Sequence, residues 1–298
     1  MRPSPTSQSR SFCSLFVTAV VVSVVGANVG IAQDVGASAS KEVVPLSRGV
    51  LGGEIDMGTL GSKTPESCAV PIKDNGDANS PAHSVAEVKS DIVAKALKPG
   101  LPTIGLLLYD HVLQTEITAP LDVFSKHSKD GEQLFNVITI AGAYELIQSE
   151  EGLKIFPDYT FDNAPKLDII VVPSAYDMSA RVNDERLVKF IQEQNKNTKY
   201  TVSNCGGASL IGEAGIADGR KIVTWIGGGK DLQKNYPSLR VQDDTTVSFV
   251  QDGKFLSSNG NLASYISALE LLEEMTNKEH VKFVESYLYL ERLQNWRK

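Results

Sequence analysis

Cysteine is scarce in this chain of 298 residues, which has three: Cys13, Cys68 and Cys205. They are too few to staple a small fold, so a disulfide framework is excluded, although one Cys68 to Cys205 bridge stays open on sequence alone. Histidine is limited to His83, His111, His127 and His280. No metal site and no other cofactor is expected. Basic surplus is missing as well: the formal charge of −7 becomes −9 if the positive charges of Arg2 and Arg10 are removed with the N-terminus. Without a basic cluster to neutralise phosphates, a nucleic-acid partner is excluded. No internal repeat is apparent. What the chain does have is 42% hydrophobic residues and 24 glycines over a length that can bury a substantial core.

Arg2 and Arg10 lead into the apolar run "FCSLFVTAVVVSVVGANVGIA", followed by Gln33 and Asp34. A basic start, an apolar centre and small residues at the exit form the pattern of a secretory signal over residues 1–32. A retained membrane anchor is the competing reading. The run is short for a span and contains Ser, Thr, Asn and Gly, which favours cleavage. The expectation is an exported protein, periplasmic or extracellular, with no stable membrane insertion afterwards. From Asp34 to about Pro81 the chain is rich in Gly, Ser, Asp and Pro without sustained periodicity, the composition of a flexible linker. Ser84 and Glu87 make a capping box, and Val85, Val88, Ile92 and Ala96 follow at helical spacing until Pro99 and Gly100. Residues 33–100 therefore read as a linker with a short helix, and 101–298 as the folded domain.

Within that domain apolar runs alternate with amphipathic ones. "TIGLLLY", "FNVITIA", "LDIIVVP", "YTVSN" and "KIVTWI" read as strands, several of them apolar on both faces. "PLDVFSKH", "ERLVKFIQEQN", "GASLIGEAG", "LASYISALELLEEM" and "KEHVKFVESYLYLERLQ" have helical periodicity. Doubly buried strands separated by helices imply an α/β fold with a mostly parallel central sheet between helical layers. "TTVSFVQDGKFLSS" reads instead as a hairpin turning at Asp252 and Gly253.

In such sheets the reactive loops gather at the carboxyl ends of the strands. Cys205 stands at one such end, in "TVSNCGGASLIG", between a strand and a helix. A nucleophile on that tight turn projects out of the sheet, beside backbone N–H groups and the helix N-terminus, which lower a thiol pKa. Gly206 and Gly207 permit the turn and a close approach of substrate. A packing cysteine at a helix start fits the local pattern equally well. Ser174 and Ala175 follow another strand in "VVPSAYD", and the loop after the first strand leads to Glu116. Buried beside a thiol, a carboxyl group favours its protonated form.

Several blocks in order resemble the ThiJ/PfpI family of the class I glutamine-amidotransferase-like superfamily. They are Glu116 four positions before Pro120, "DYTFDNAPKLDIIVVP", "SNCGGASLIGEAGIADGRKIVT" and "DGKFLSSNGNLASYISALELLEEM", together spanning about Pro102 to Met275. The resemblance implies a flavodoxin-like three-layer sandwich with a nucleophile-elbow cysteine. It further implies Cys205 as nucleophile and Glu116 as its buried, protonated carboxylic partner. The N–H groups of Gly206, Ser174 and Ala175 would then form an oxyanion site. Where many members have glycines, this chain has Ser174 and Ala175, so a positive φ there would be strained. Where peptidase-like members carry a histidine it has Trp225, either core or pocket wall, and Asn259 is a residue of a turn or a pocket border. Without that imidazole, chemistry that must protonate an amine leaving group is disfavoured. Members that hydrate isonitriles or rearrange dicarbonyls, using a cysteine and a carboxylic acid, fit better, and the pattern is similar to isonitrile hydratase-like members. The implied activity is that of a hydratase or lyase, or a glyoxalase-like enzyme, on a small-molecule electrophile. A noncatalytic domain of the same fold that binds a small molecule or senses oxidants is the alternative, and a homodimer is the implied assembly.

Overall fold

The computed structural model describes residues 41–43 and 94–293, all within one compact unit running from Ser38. The signal-like segment 1–32, Cys13, Cys68 and most of the 33–100 segment, including the start of the helix expected from Ser84, lie outside the described residues; residues 94–98, where that helix was expected to end, are not helical. Along the chain come β1 (Lys41–Val43), β2 (Thr103–Leu107), α1 (Gln114–Phe124), β3 (Asn136–Ala141), β4 (Ile147–Gln148), β5 (Lys154–Ile155), β6 (Tyr159–Thr160) and β7 (Ile169–Val172). Then follow α2 (Ser179–Val182), α3 (Glu185–Asn195), β8 (Tyr200–Asn204), α4 (Gly207–Glu213), β9 (Lys221–Ile222), α5 (Gly229–Asn235) and β10 (Arg240–Val241). The chain continues through β11 (Phe249–Asp252), β12 (Phe255–Ser258), α6 (Ala263–Met275), α7 (Lys278–Tyr287) and α8 (Leu290–Leu293).

Eight strands form the central sheet in the order β1-β11-β12-β8-β7-β2-β3-β6. The run from β12 to β6 is parallel, and β11 and β1 extend it antiparallel. Every residue of β2, β3 and β7 is buried, which is why these strands are apolar on both faces rather than alternating. α1 packs against α6, and α3 against α4, so helices flank the sheet as a flavodoxin-like α/β fold requires. Inside β2, Gly105 leaves room for its neighbours: a Cβ there would lie 2.5 Å from Leu167 Cδ1 and 2.8 Å from Ile140 Cδ1. From β2 the chain goes one way to β3 and β6, and from β7 the other way to β8 and β12. The β2/β7 boundary is therefore the topological switch point, where open α/β sheets place their ligands.

Three expectations are corrected. "KIVTWI" is a strand only at Lys221–Ile222, which pairs with β10 in a separate two-stranded sheet. The helix expected at "PLDVFSKH" begins earlier, at Gln114, and carries Pro120 inside it. The long C-terminal helix breaks before Tyr289, whose φ of 57° is left-handed. The stretch read as linker also contributes β1, paired with β11, and Lys95 Nζ donates to Val137 O at 2.8 Å, so packed chain begins before residue 101.

Candidate functional site

The carboxyl ends of four neighbouring strands, β2, β7, β8 and β12, deliver the site. Asn204 ends β8, and the chain turns sharply at Cys205, whose φ is 52°. Its N–H donates to Ser258 O at 2.9 Å, and its carbonyl accepts from Thr224 Oγ1 at 2.8 Å, so the elbow is tied to β12 and to the loop after β9. Gly207 starts α4 against the end of β7: a Cβ there would meet Val172 O at 2.2 Å and Pro173 O at 2.7 Å. The cysteine is thus held out of the sheet in a conformation that L-residues adopt at a cost.

Glu116 sits on the first turn of α1 and has no solvent exposure, not on an open loop. Pro120 lacks the amide that an uninterrupted helix would offer to the Glu116 carbonyl. Ser174 N–H donates to Glu116 Oε2 at 2.7 Å. Gly260, at φ 84°, closes the space between the two groups. A Cβ on Gly260 would stand 2.2 Å from Glu116 Oε1 and 2.5 Å from Cys205 Cβ.

Burial raises the Glu116 carboxyl to about 7, against the Ser174 and Asn261 N–H groups and the Cys205 thiol, which stabilise the charge. The lowered thiol pKa expected for Cys205 is not found. Burial first, and the Glu116 charge second, push Cys205 up to about 11, although the Ser174 hydroxyl and the Gly206 N–H pull the other way. A helix of seven residues and two hydrogen bonds do not offset that desolvation. The site therefore holds a protonated thiol beside a carboxyl that titrates near neutral pH, not a preformed thiolate.

Ser174 and Ala175 are not at positive φ, so the strain anticipated there is absent. Ser174 does not line the cavity. Its N–H is taken by Glu116, and its Oγ accepts from Gly206 N at 3.0 Å while donating to Ala175 O at 2.9 Å. Upstream, the buried Tyr109 hydroxyl donates to Pro173 O, fixing the strand end from which Ser174 leaves. Ala175 N–H points at the Met178 sulfur, at 3.2 Å. Gly206 and Ala175 line the cavity, and a substrate oxygen reaching their N–H groups must displace the Ser174 hydroxyl or the weakly accepting sulfur.

Cys205 opens into a cavity of about 740 Å³. Trp225 is one wall, packed so closely on Gly228 that a Cβ there would lie 2.0 Å from Trp225 Cε2. Asn259 also lines the cavity, but its amide donates to Thr224 O at 2.6 Å. Gly260, read with Asn259 as a turn or a pocket border, lines the cavity, as do Tyr176, Ile226 and Leu262, which sequence reasoning did not place there. The run of glycines after Ile226 and the "SNGN" turn were the available signals. His111 is turned away: its Nδ1 lies 3.5 Å from Glu150, and no imidazole lines the cavity among the described residues.

Residues 102–274 match the model of the DJ-1/PfpI family. The isonitrile hydratase of Pseudomonas putida is 28% identical over 186 residues, 62% of this chain and 77% of that protein. The HTH-type transcriptional regulator GbdR of Pseudomonas aeruginosa is 24% identical over 210 residues, 66% of this chain but 55% of the regulator. Two solved structures share the fold. A ThiJ/PfpI family protein from Pseudomonas syringae has a TM-score of 0.57 at 19% identity, covering 65% of this chain and 81% of its own. Drosophila melanogaster DJ-1beta has a TM-score of 0.55 at 20% identity, covering 63% and 98%.

Proposed function

The chain belongs to the DJ-1/PfpI family, and from that premise we propose that it is a cysteine-dependent hydratase acting on an isonitrile. The observation that carries this is the Glu116 and Cys205 pair meeting at Gly260, with no imidazole beside it among the described residues. Similarity to isonitrile hydratase supports the choice of substrate.

Cys205 sulfur bonds to the terminal carbon of R–N≡C as the thiol proton passes through Glu116 to that carbon, giving a thioimidate, R–N=CH–S–Cys205. Glu116, again a carboxylate, takes a proton from an incoming water as its oxygen attacks the same carbon and passes that proton to the nitrogen, giving R–NH–CH(OH)–S–Cys205 and the carboxylate again. Collapse of the adduct breaks the C–S bond, returns the proton to sulfur and releases the formamide R–NH–CHO. A carboxyl poised near neutral pH suits both directions of transfer. Incubation of the protein with an isonitrile, followed by NMR detection of the formamide, is the test. Turnover lost in Cys205→Ala and reduced roughly a hundredfold or more in Glu116→Gln is the expected outcome; unchanged turnover in either variant overturns the assignment.

The proposal includes export and a homodimer. An intact mass beginning at Gln33 or Asp34, and a light-scattering mass of two mature chains, are expected. A second reading, a noncatalytic small-molecule or oxidant sensor, is favoured by the similarity to the regulator GbdR. It predicts ligand binding or stable oxidation of Cys205 without formamide release.

A further inference from the structure

The cavity over Cys205 is larger and more apolar than addition of water to a small electrophile requires. At about 740 Å³ it is in the range that holds drug-sized ligands rather than molecules of three or four heavy atoms. No Lys, Arg, His, Asp or Glu side chain lines it among the described residues. At its mouth stand Tyr176, Ile226 and Leu262, 81%, 69% and 78% exposed, with Trp225 behind them.

This wall is built rather than loose. Thr224 is bonded to the Cys205 carbonyl and Asn259 to the Thr224 carbonyl, at one end of the Trp225 loop. At the other end Asp244, buried itself, accepts from Gly227 N at 3.1 Å and Gly229 N at 2.5 Å. Trp225 lies across Gly228, where any side chain would collide with it. Ile226 is thereby presented to solvent from a pinned loop, and Leu262 lines the same cavity. Exposed apolar side chains rimming a reactive cavity gain by covering with apolar ligand surface. A carboxylate in the same space would lose its hydration with no cation to replace it, and would face the charge of Glu116.

We propose that this site selects an uncharged electrophile carrying an extended apolar substituent, and that Trp225, Ile226 and Leu262 set that preference. The inference rests on the hydration reading and narrows it. The isonitrile carbon lies at Cys205 and the substituent runs outward between the Trp225 loop and Leu262.

Two series test it on the full chain. In the first, kcat/KM is measured for methyl, cyclohexyl and benzyl isonitriles, and for isocyanoacetate against its methyl ester. A rise of roughly tenfold or more from methyl to the larger neutral groups, and a roughly tenfold or greater preference for the ester over the acid, are expected. Leu262→Lys, at an exposed position, should narrow the ester preference, and Ile226→Ser should flatten the size dependence; both are read beside Trp225→Ala in case removal of that side chain unfolds the loop. In the second series Cys205 is alkylated with N-benzyl iodoacetamide, iodoacetamide and iodoacetate, mapped by peptide mass and normalised to 2-mercaptoethanol. The expected order of rates is benzyl, amide, then acid. If no isonitrile turns over but this order holds, the hydration reading fails and the selectivity stands. Turnover without dependence on size or charge, or alkylation in which the acid equals the amide, overturns the inference.

Discussion

A carboxyl group with no solvent exposure is a cost the fold carries at Glu116. Its pKa in the folded protein, about 7, lies above the ordinary 4.5, so the native state binds the proton more tightly than the unfolded chain. Glu116 thus leaves stability intact below the ordinary value and takes it away as pH rises through about 7, by on the order of 3 kcal/mol. Glu116→Gln should therefore unfold at a urea midpoint close to the parent at pH 5 and clearly above it at pH 8. A midpoint difference that does not grow with pH would contradict this. The same charge raises the Cys205 thiol, so Glu116→Gln and Glu116→Leu should both alkylate at Cys205 with a midpoint shifted to lower pH than the parent. Curves that coincide would show that the two groups do not interact. The position of Cys205 was legible from a strand end followed by two glycines, whereas its ionisation was not. Desolvation comes from residues far along the chain, which local spacing cannot report. Glu116 and its burial were legible through the resemblance that the order of blocks carries, but its place on the first turn of a helix was not.

Elements show a similar division. Strands apolar on both faces announced the parallel sheet, because such runs are stable only under helices on both sides. "KIVTWI" misled because an apolar run cannot tell a buried strand from a loop wall. After Ile222 the backbone is diverted by Val223 N–H bonding to Ser257 Oγ at 2.9 Å and by the amides captured at Asp244. α1 misled because proline favours the first helical turn, yet Pro120 lies well inside this one. Two glycines separate the packing of the elbow from the contact between Glu116 and Cys205. Gly207→Ala would press a methyl into the Val172 carbonyl, which cannot move without the sheet, and should cost about 3 kcal/mol in urea unfolding. A loss well below this would mean that α4 can slide away from β7. Gly260→Ala meets side-chain atoms instead, at 2.2 Å from Glu116 Oε1 and in left-handed backbone, so it should displace Glu116 and abolish turnover more than it lowers stability. Wild-type turnover in that variant would remove Gly260 from the site.

For the molecule as a whole, the site belongs to no single stretch. Glu116, Ser174, Cys205 and Gly260 come from strand ends on either side of the β2/β7 switch point and meet when the parallel sheet has formed. Native Cys205, pushed up to about 11 from an ordinary 9.0, is a poorer nucleophile toward general oxidants at neutral pH than the same thiol in an unfolded chain. Labelling of Cys205 at pH 8 should accordingly rise through the urea transition in step with loss of helical circular dichroism. A native rate equal to the unfolded one would overturn this. The elbow's burial therefore acts as a chaperone for its own chemistry. In the unfolded chain, before the last strand is in place, the cysteine is exposed to stray oxidation and to pairing with another thiol. Once the sheet closes, the thiol is withdrawn from bulk solvent and left open to what enters past Trp225, so the hazardous interval is the time the chain takes to fold.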